Sequence, residues 1–162
     1  MIQVDRMVRN LFEMVQISSE SGEEQEFLKY LYEKLSNDLK ANCLFDNYGN
    51  LIAKIPARSC SRGDISPLLF AMHADTVKPG KGIKPKVLDG FVVSGGDTIL
   101  GADCKAGIAE FIEAVQSADN FPPLEVAITR EEEVGFGGAK NLNFNLITAK
   151  QGFLLDMDVL DK

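Results

Sequence analysis

Short apolar segments alternate with segments of helical periodicity along this chain, and the alternation limits the folds that the chain can adopt. The runs "PLLFAMH" (67–73), "LEVAITR" (124–130) and "GFLLD" (152–156) are too short for typical helices and suit buried strands. Between the first two runs, apolar residues recur at helical spacing from Ala106 to Val115. Strands that alternate with helices predict an α/β layered domain, with a largely parallel or mixed central sheet flanked by helices.

The other segments add two helices and two hairpins to this prediction. Apolar residues recur at helical spacing over 4–15 and again over 27–35. Ser21 and Glu24 have the spacing of a capping box at the start of the second helix. The segments "CLFDNYGNLIAKI" and "IKPKVLDGFVVSGG" each carry apolar residues on both sides of a glycine-containing turn, which predicts a hairpin.

Size and charge exclude several classes of function. A length of 162 residues favours one domain, which we place at 1–162. The net charge is −7 and the basic residues are scattered, so a nucleic acid partner is not expected. The N-terminal segment carries charges throughout, and no later segment approaches transmembrane length. We therefore expect a cytoplasmic protein with no membrane partner.

The cysteines restrict the kind of metal site that the chain could form. Cys43, Cys60 and Cys104 are odd in number and lack the CxxC spacing, which argues against a disulfide framework and against a cysteine zinc site. Any metal would therefore need histidine and carboxylate ligands. His73 is the only histidine.

Ionisable residues follow the predicted strands at their carboxyl ends. His73 and Asp75 come at the end of the first strand, Glu131–Glu133 follow the second, and Asp156 follows the last. Asp103 precedes the helix that begins near Ala106. Because ligands bind at the carboxyl ends of the strands in sheets of this class, these residues are the candidates for a functional site.

Each of these features also has a purely structural interpretation. Asp75 could orient the imidazole of His73 for a metal, or it could cap a turn. Asp103 could bind a metal or cap the following helix, whereas a phosphate loop is disfavoured because the GxxxxGK[ST] pattern is absent. The glutamate run could be a solvated face, or it could bind a pair of divalent ions that offset its charge repulsion.

Six segments, taken in order, resemble one family. They are "FEMVQISSESGEEQEFLKYL", "FDNYGNLIAKIP", "MHADTV", "TILGADCKAG", "EEEVGFGGAK" and "GFLLD". Together they resemble the dinuclear zinc exopeptidases, which include peptidase T-like tripeptidases, glutamate-releasing carboxypeptidases and aminoacylases. The match covers nearly the whole chain, and the tripeptidase branch is the nearest.

The resemblance implies a metal centre. It implies that His73, Asp103 and Asp156 bind one metal, and that Asp103 bridges to a second metal that Glu133 also binds. The implied cofactors are two zinc ions, with cobalt or manganese as alternatives. Divalent ions lower the pKa of water and stabilise developing negative charge, which fits hydrolysis of a peptide bond.

The resemblance also implies roles for two further residues and one feature of the backbone. Asp75 would orient His73, and Glu132 would act as the general base that takes a proton from the attacking water. The peptide bond between Asp103 and Cys104 is expected to be cis.

The expected function is metal-dependent hydrolysis of small peptides, of the tripeptide aminopeptidase type. The family carries a further metal-binding histidine and a lid domain downstream of the segment that matches "GFLLD", whereas this chain ends six residues after Asp156. We therefore interpret 1–162 as the N-terminal part of a metallopeptidase catalytic domain, which alone should be nearly inactive and bind at most one metal well.

Other functions stay open from the sequence. The chain could be a catalytically incomplete metal-binding fragment that acts through self-association or through a partner, since exposed apolar surface would favour a homo-oligomer. It could also be an aminoacylase-type amidohydrolase. A nucleotide-binding α/β domain is a weaker alternative.

Overall fold

Two helices begin the chain and a mixed sheet follows them. The computed structural model describes residues 1–59 and 65–156. Its elements in chain order are α1 Val4–Gln16, α2 Gln25–Leu39, β1 Asn42–Phe45, β2 Leu51–Ile55, β3 Leu68–His73, β4 Pro85–Leu88, β5 Phe91–Ser94, α3 Lys105–Ser117, β6 Leu124–Thr129, α4 Gly137–Lys140, a 3₁₀ turn Phe144–Leu146 and β7 Gln151–Leu154.

The central sheet has five strands in the order β1-β2-β6-β3-β7. β1 pairs antiparallel with β2, and β2 pairs antiparallel with β6, whereas β6, β3 and β7 run parallel. The α/β fold with a mixed sheet flanked by helices is therefore confirmed. β4 and β5 form a separate two-stranded hairpin, as predicted, and its turn residues Asp89 and Gly90 both have positive φ.

The parallel strands bring their carboxyl ends to one edge of the sheet. His73, the last residue of β3, is in register with Thr129, the last residue of β6. Ala71 of β3 is in register with Leu154, the last residue of β7. The segments that leave these three strands therefore start side by side, which is the arrangement that the strand-end prediction required.

Helices and strands share one hydrophobic core. α3 packs against α1, α2 and β3, and α2 also packs against β1 and β2. Glu113 of α3 accepts hydrogen bonds from the guanidinium of Arg6 at 2.6 Å and 2.9 Å, which fastens α1 to α3. The centre of the core consists of fully buried side chains, among them Met14, Phe27, Leu31, Leu35, Leu51, Met72, Ile108, Ile112 and Ile128.

Two predictions of local structure are wrong. The capping box does not form, because α2 starts at Gln25 and the side chains of Ser21 and Glu24 make tertiary contacts instead. β3 is not buried on both faces along its length: Leu68–Ala71 are half-buried, and only Met72 and His73 are fully buried. Its neighbour β7, the strand at the edge of the sheet, is exposed at all four residues.

Two of the three cysteines lie in the described part of the chain. Cys43 and Cys104 are free and buried, while Cys60 lies outside the described residues. Among the described residues, no helix combines the length and the apolar character needed to cross a bilayer.

Candidate metal centre

His73 lies at the centre of the candidate site. Its side chain is 2% exposed at the end of β3. Nδ1 lies 2.9 Å from the backbone carbonyl oxygen of Asp75 and 3.5 Å from the carboxylate oxygen Oδ1 of the same residue. On the other side of the ring, Nε2 lies 3.2 Å from Oδ1 of Asp103.

These contacts constrain the state of the imidazole. A hydrogen on Nδ1 can be donated to the carbonyl oxygen of Asp75, and this tautomer turns the lone pair of Nε2 towards the carboxylate of Asp103. A lone pair that faces an anionic oxygen at this distance is unfavourable unless a proton or a cation lies between the two atoms. The ring is therefore arranged for a positive charge at Nε2.

Glu132 and Glu133 complete a cluster around the same ring. Ligand atoms of His73, Glu132 and Glu133 all lie within 4.8 Å of one another, and the same holds for His73, Asp103 and Cys104. Asp156 follows β7 and lines one cavity together with Asp103. His73 thus belongs to two groups of ligand atoms, one with Glu132 and Glu133 and one with Asp103, and Asp156 lies beside Asp103 in a cavity without joining either group.

The excess of negative charge in the cluster contributes to raised pKa values of its residues. Burial alone would lower the pKa of His73, but the carboxylates of Asp75, Asp103 and Glu132 outweigh burial and raise it to about 9. Burial raises the pKa of Glu132, His73 lowers it, and the neighbouring carboxylates raise it further. The same balance raises the pKa of Glu133. Carboxylates that repel one another in this way favour a bound cation.

Asp75 makes contacts that were not predicted. Its carboxylate is fully buried and accepts hydrogen bonds from the backbone amides of Glu132 at 2.9 Å and Glu133 at 3.1 Å. The hydroxyl of Ser21 donates a third hydrogen bond to it at 2.7 Å. Burial would raise the pKa of Asp75, but these donors and His73 lower it to about 2. The carboxylate therefore binds the glutamate segment more closely than it binds the imidazole.

The three consecutive glutamates do not form a single solvated face. Glu131 has a φ of 54°, and its carboxylate accepts a hydrogen bond from the hydroxyl of Tyr48. Glu132 and Glu133 lie on the other side, next to His73. The change in direction follows from the left-handed backbone at Glu131, which a period-based analysis of the sequence cannot detect.

Asp103 is positioned by the segment before α3. The helix cap is Cys104, without a side-chain cap hydrogen bond, so Asp103 does not cap the helix and its side chain is half exposed beside His73. The peptide bond between Asp103 and Cys104 is cis, as the resemblance implied. The thiol of Cys104 donates to the carbonyl oxygen of Leu155 at 2.6 Å, which ties this segment to the chain just before Asp156.

Lys105 is a contributor that the sequence analysis missed. Its side chain is fully buried, and Nζ donates hydrogen bonds to the carbonyl oxygens of Met14 at 3.2 Å and Ile17 at 2.7 Å. Burial lowers the pKa of Lys105 to about 7. Because these carbonyls belong to the end of α1, the lysine fixes the start of α3 directly after Asp103. A lone lysine in a glycine-rich segment carries no signal of burial.

Comparison with known proteins relates this chain to peptidases. No family model matches the sequence. The crystal structure of aminopeptidase PepT from Bacillus cereus ATCC 10987 is 40% identical, with a TM-score of 0.91, and the match covers 98% of this chain and 44% of that one. A tripeptidase from Staphylococcus aureus Mu50 is 31% identical with a TM-score of 0.88, over 98% of this chain and 45% of that one. YqjE of Bacillus subtilis strain 168 is 38% identical over 98% of this chain and 44% of its own length.

The mixed sheet and its flanking helices match the fold of the M20 peptidase catalytic domain. The solved structures that the chain matches include M20 peptidases, and one of them, the YXEP protein of Bacillus subtilis, is a dinuclear metal binding peptidase. This chain spans less than half the length of the relatives it matches.

Proposed function

We propose that this chain supplies metal ligands and the general base for metal-dependent hydrolysis of small peptides, in the manner of a tripeptide aminopeptidase. The observation that carries the proposal is the position of His73 Nε2, which lies 3.2 Å from the carboxylate of Asp103 inside a cluster that also contains Glu132 and Glu133. On this proposal, residues 1–162 are the N-terminal part of the catalytic domain of a cytoplasmic enzyme.

The donor set fits a pair of divalent ions. His73, Asp103 and Asp156 would hold one, and Asp103 and Glu133 would take part in holding the other. Nitrogen and carboxylate donors suit zinc, with cobalt or manganese as alternatives. When bound, such ions lower the pKa of water and stabilise negative charge that develops on a carbonyl oxygen.

Glu132 and Asp75 would have separate roles in the reaction. The carboxylate of Glu132 would accept a proton from the attacking water and return it to the departing amine. The carbonyl oxygen of Asp75 would keep the hydrogen of His73 on Nδ1, which leaves Nε2 free to act as a ligand. The carboxylate of Asp75 would hold the amides of Glu132 and Glu133 in place.

The direct test is hydrolysis of a tripeptide by the complete enzyme loaded with zinc, before and after chelation and again after zinc is restored. The proposal expects activity that chelation removes and zinc restores, and that Glu132→Gln lacks. Cleavage of an N-acylated amino acid in preference to a tripeptide would instead indicate an aminoacylase-type amidohydrolase. Hydrolysis that persists in excess chelator would overturn the assignment of a metal-dependent reaction.

A second candidate function is a metal-binding module that acts by association instead of turnover. It is favoured by β7, a sheet-edge strand in which all four residues are exposed, including Phe153 at 56% and Leu154 at 67%. Such an edge can pair with a second copy or with another protein. The mass and the activity of the complete protein in solution decide together: a monomer that hydrolyses tripeptides excludes this alternative, and an inactive, zinc-binding homo-oligomer supports it.

A further inference from the structure

Glu24 contacts the candidate site from the opposite end of the sequence. Its carboxylate oxygen Oε1 accepts a hydrogen bond from the backbone amide of Glu131 at 3.2 Å. Oε2 accepts two hydrogen bonds from Arg130, from Nε at 3.1 Å and from Nη2 at 2.9 Å. Arg130 is the residue directly before Glu131–Glu133, which we call the acidic turn.

The carboxylate of Glu24 is buried, and hydrogen bonds determine its position. Its side chain is fully buried, and the amide of Gly22 supplies a fourth hydrogen bond at 2.8 Å. Arg130 in turn donates to the carbonyl oxygen of Tyr48 at 3.2 Å. A buried carboxylate is tolerated only when charged and polar donors satisfy it, so the pairing of Glu24 with Arg130 fixes both groups.

Two buried carboxylates therefore bind the acidic turn along its length. Glu24 binds the amide of Glu131, and Asp75 binds the amides of Glu132 and Glu133. These three successive N–H groups would otherwise need other acceptors, because the turn follows β6 and precedes α4 without a strand partner of its own. The direction in which Glu132 and Glu133 project depends on how the three amides are held.

The backbone of Glu24 strengthens this connection. Its carbonyl oxygen accepts the first hydrogen bond of α2, from the amide of Leu28 at 2.9 Å. Leu28 and the residues after it on the same side of α2 are buried in the core. The acidic turn is thereby attached, through one side chain, to a helix that the core holds rigidly.

We propose that Glu24 is a positioning residue of the candidate metal centre, which holds the acidic turn through Arg130 and the amide of Glu131 so that Glu132 and Glu133 face His73. The inference rests on the proposed function. Glu24 itself touches neither metal nor substrate in this scheme, and its effect passes entirely through the turn.

The test compares Glu24→Gln with Glu23→Gln in the full chain. The matched control lies one residue away, has an exposed side chain and forms an ion pair with Lys81 at the surface. Far-UV circular dichroism checks folding. Hydrogen exchange then measures protection of the amides of Glu131, Glu132 and Glu133, and competition with a chromophoric chelator measures zinc affinity.

Glu24→Gln places an amide group against the Arg130 guanidinium, so we expect faster exchange at the acidic turn and, in the complete enzyme, roughly 10–100-fold lower affinity for the zinc ion that Glu133 helps to hold. The control should match the wild type in both measurements. If Glu24→Gln does not fold, Arg130→Lys keeps the positive charge but loses the two-point contact with Oε2, and should show the same two changes.

The outcomes separate this proposal from the function on which it rests. Unchanged exchange at the turn in folded Glu24→Gln or Arg130→Lys would overturn the proposal. Faster exchange with unchanged zinc affinity would also overturn it, because the turn would then not govern the metal centre. A wild-type chain that binds no zinc would instead overturn the proposed function, while exchange would still show whether Glu24 holds the turn.

Discussion

The backbone amide of Glu132 donates a 2.9 Å hydrogen bond to the buried carboxylate of Asp75, across 57 residues of sequence. This bond joins the loop after β3 to the loop after β6, and so sets the distance between His73 and the glutamates opposite it. Without this bond, the distance would depend on the conformations of the two loops that follow the parallel strands. The hydrogen bond to the Asp75 carboxylate fixes it.

Replacing Asp75 by Asn tests this connection. The substitution removes one of two acceptor oxygens and places an NH₂ group against a backbone amide or the Ser21 hydroxyl. We expect the free energy of unfolding to fall by about 1–3 kcal/mol, the cost of leaving buried polar groups unsatisfied. Urea denaturation measures the change. The control is Asp97→Asn, at an exposed position, which should leave stability unchanged; an equal effect of both variants would contradict the assigned role.

The adjacent glutamates should respond differently to the same substitution. In the complete enzyme, Glu132→Gln is expected to lower the rate of peptide hydrolysis by roughly 10²–10⁴-fold, the usual effect of losing a general base, with zinc content almost unchanged. Glu133→Gln is expected to reduce zinc per chain, because it removes a proposed ligand. Steady-state kinetics and metal analysis distinguish the two. Full activity in Glu132→Gln would rule out its role as the base.

Much of the site could be predicted because it follows from strand topology. His73, the Glu131–Glu133 run and Asp156 each come directly after an apolar run, and parallel strands necessarily bring such residues to one edge. The α/β class and both hairpins were predictable because they depend on local periodicity and turn residues.

The contacts that hold the site together were not predictable from local pattern. Ser21 and Glu24 have the spacing of a capping box, yet they bind Asp75 and Arg130, residues that are distant in sequence. The amides of a helix N-terminus and partners that are distant in sequence compete for the same side chains, and spacing does not indicate which contact forms. The burial of Lys105 is likewise set by the packing of α3 against α1.

Close packing beneath the acidic turn gives a third prediction. A Cβ atom at Gly138 would lie 2.4 Å from the backbone nitrogen of Arg130 and 2.4 Å from Oδ1 of Asn50. Gly138→Ala must therefore displace the backbone before the turn, at a cost of about 1–3 kcal/mol in the free energy of unfolding. Gly96→Ala is the matched control, since nothing lies within 4 Å of a Cβ atom there. Thermal unfolding of both variants measures the difference. Similar unfolding midpoints for the two variants would contradict close packing at Gly138.

The ion pair between α1 and α3 gives a pH dependence. Hydrogen bonds from Arg6 lower the pKa of Glu113 from its ordinary value of 4.5 to about 2. A lowered pKa contributes stability that is complete above pH 4.5 and is lost as the pH falls towards 2. Glu113→Gln should therefore be less stable than the wild type near neutral pH, and the difference should shrink on acidification. Urea denaturation across this range measures it, and a difference that does not depend on pH would contradict the prediction.

The central claim is that His73 and the surrounding carboxylates bind divalent metal, and anomalous diffraction at the zinc absorption edge tests it most directly. Crystals of the protein grown with zinc should show an anomalous peak at bonding distance from Nε2 of His73, about 2.0–2.1 Å, and from the carboxylate of Asp103. Crystals of His73→Ala should lose that peak. Wild-type crystals with no peak at this edge of the sheet, or with zinc bound only elsewhere, would contradict the account.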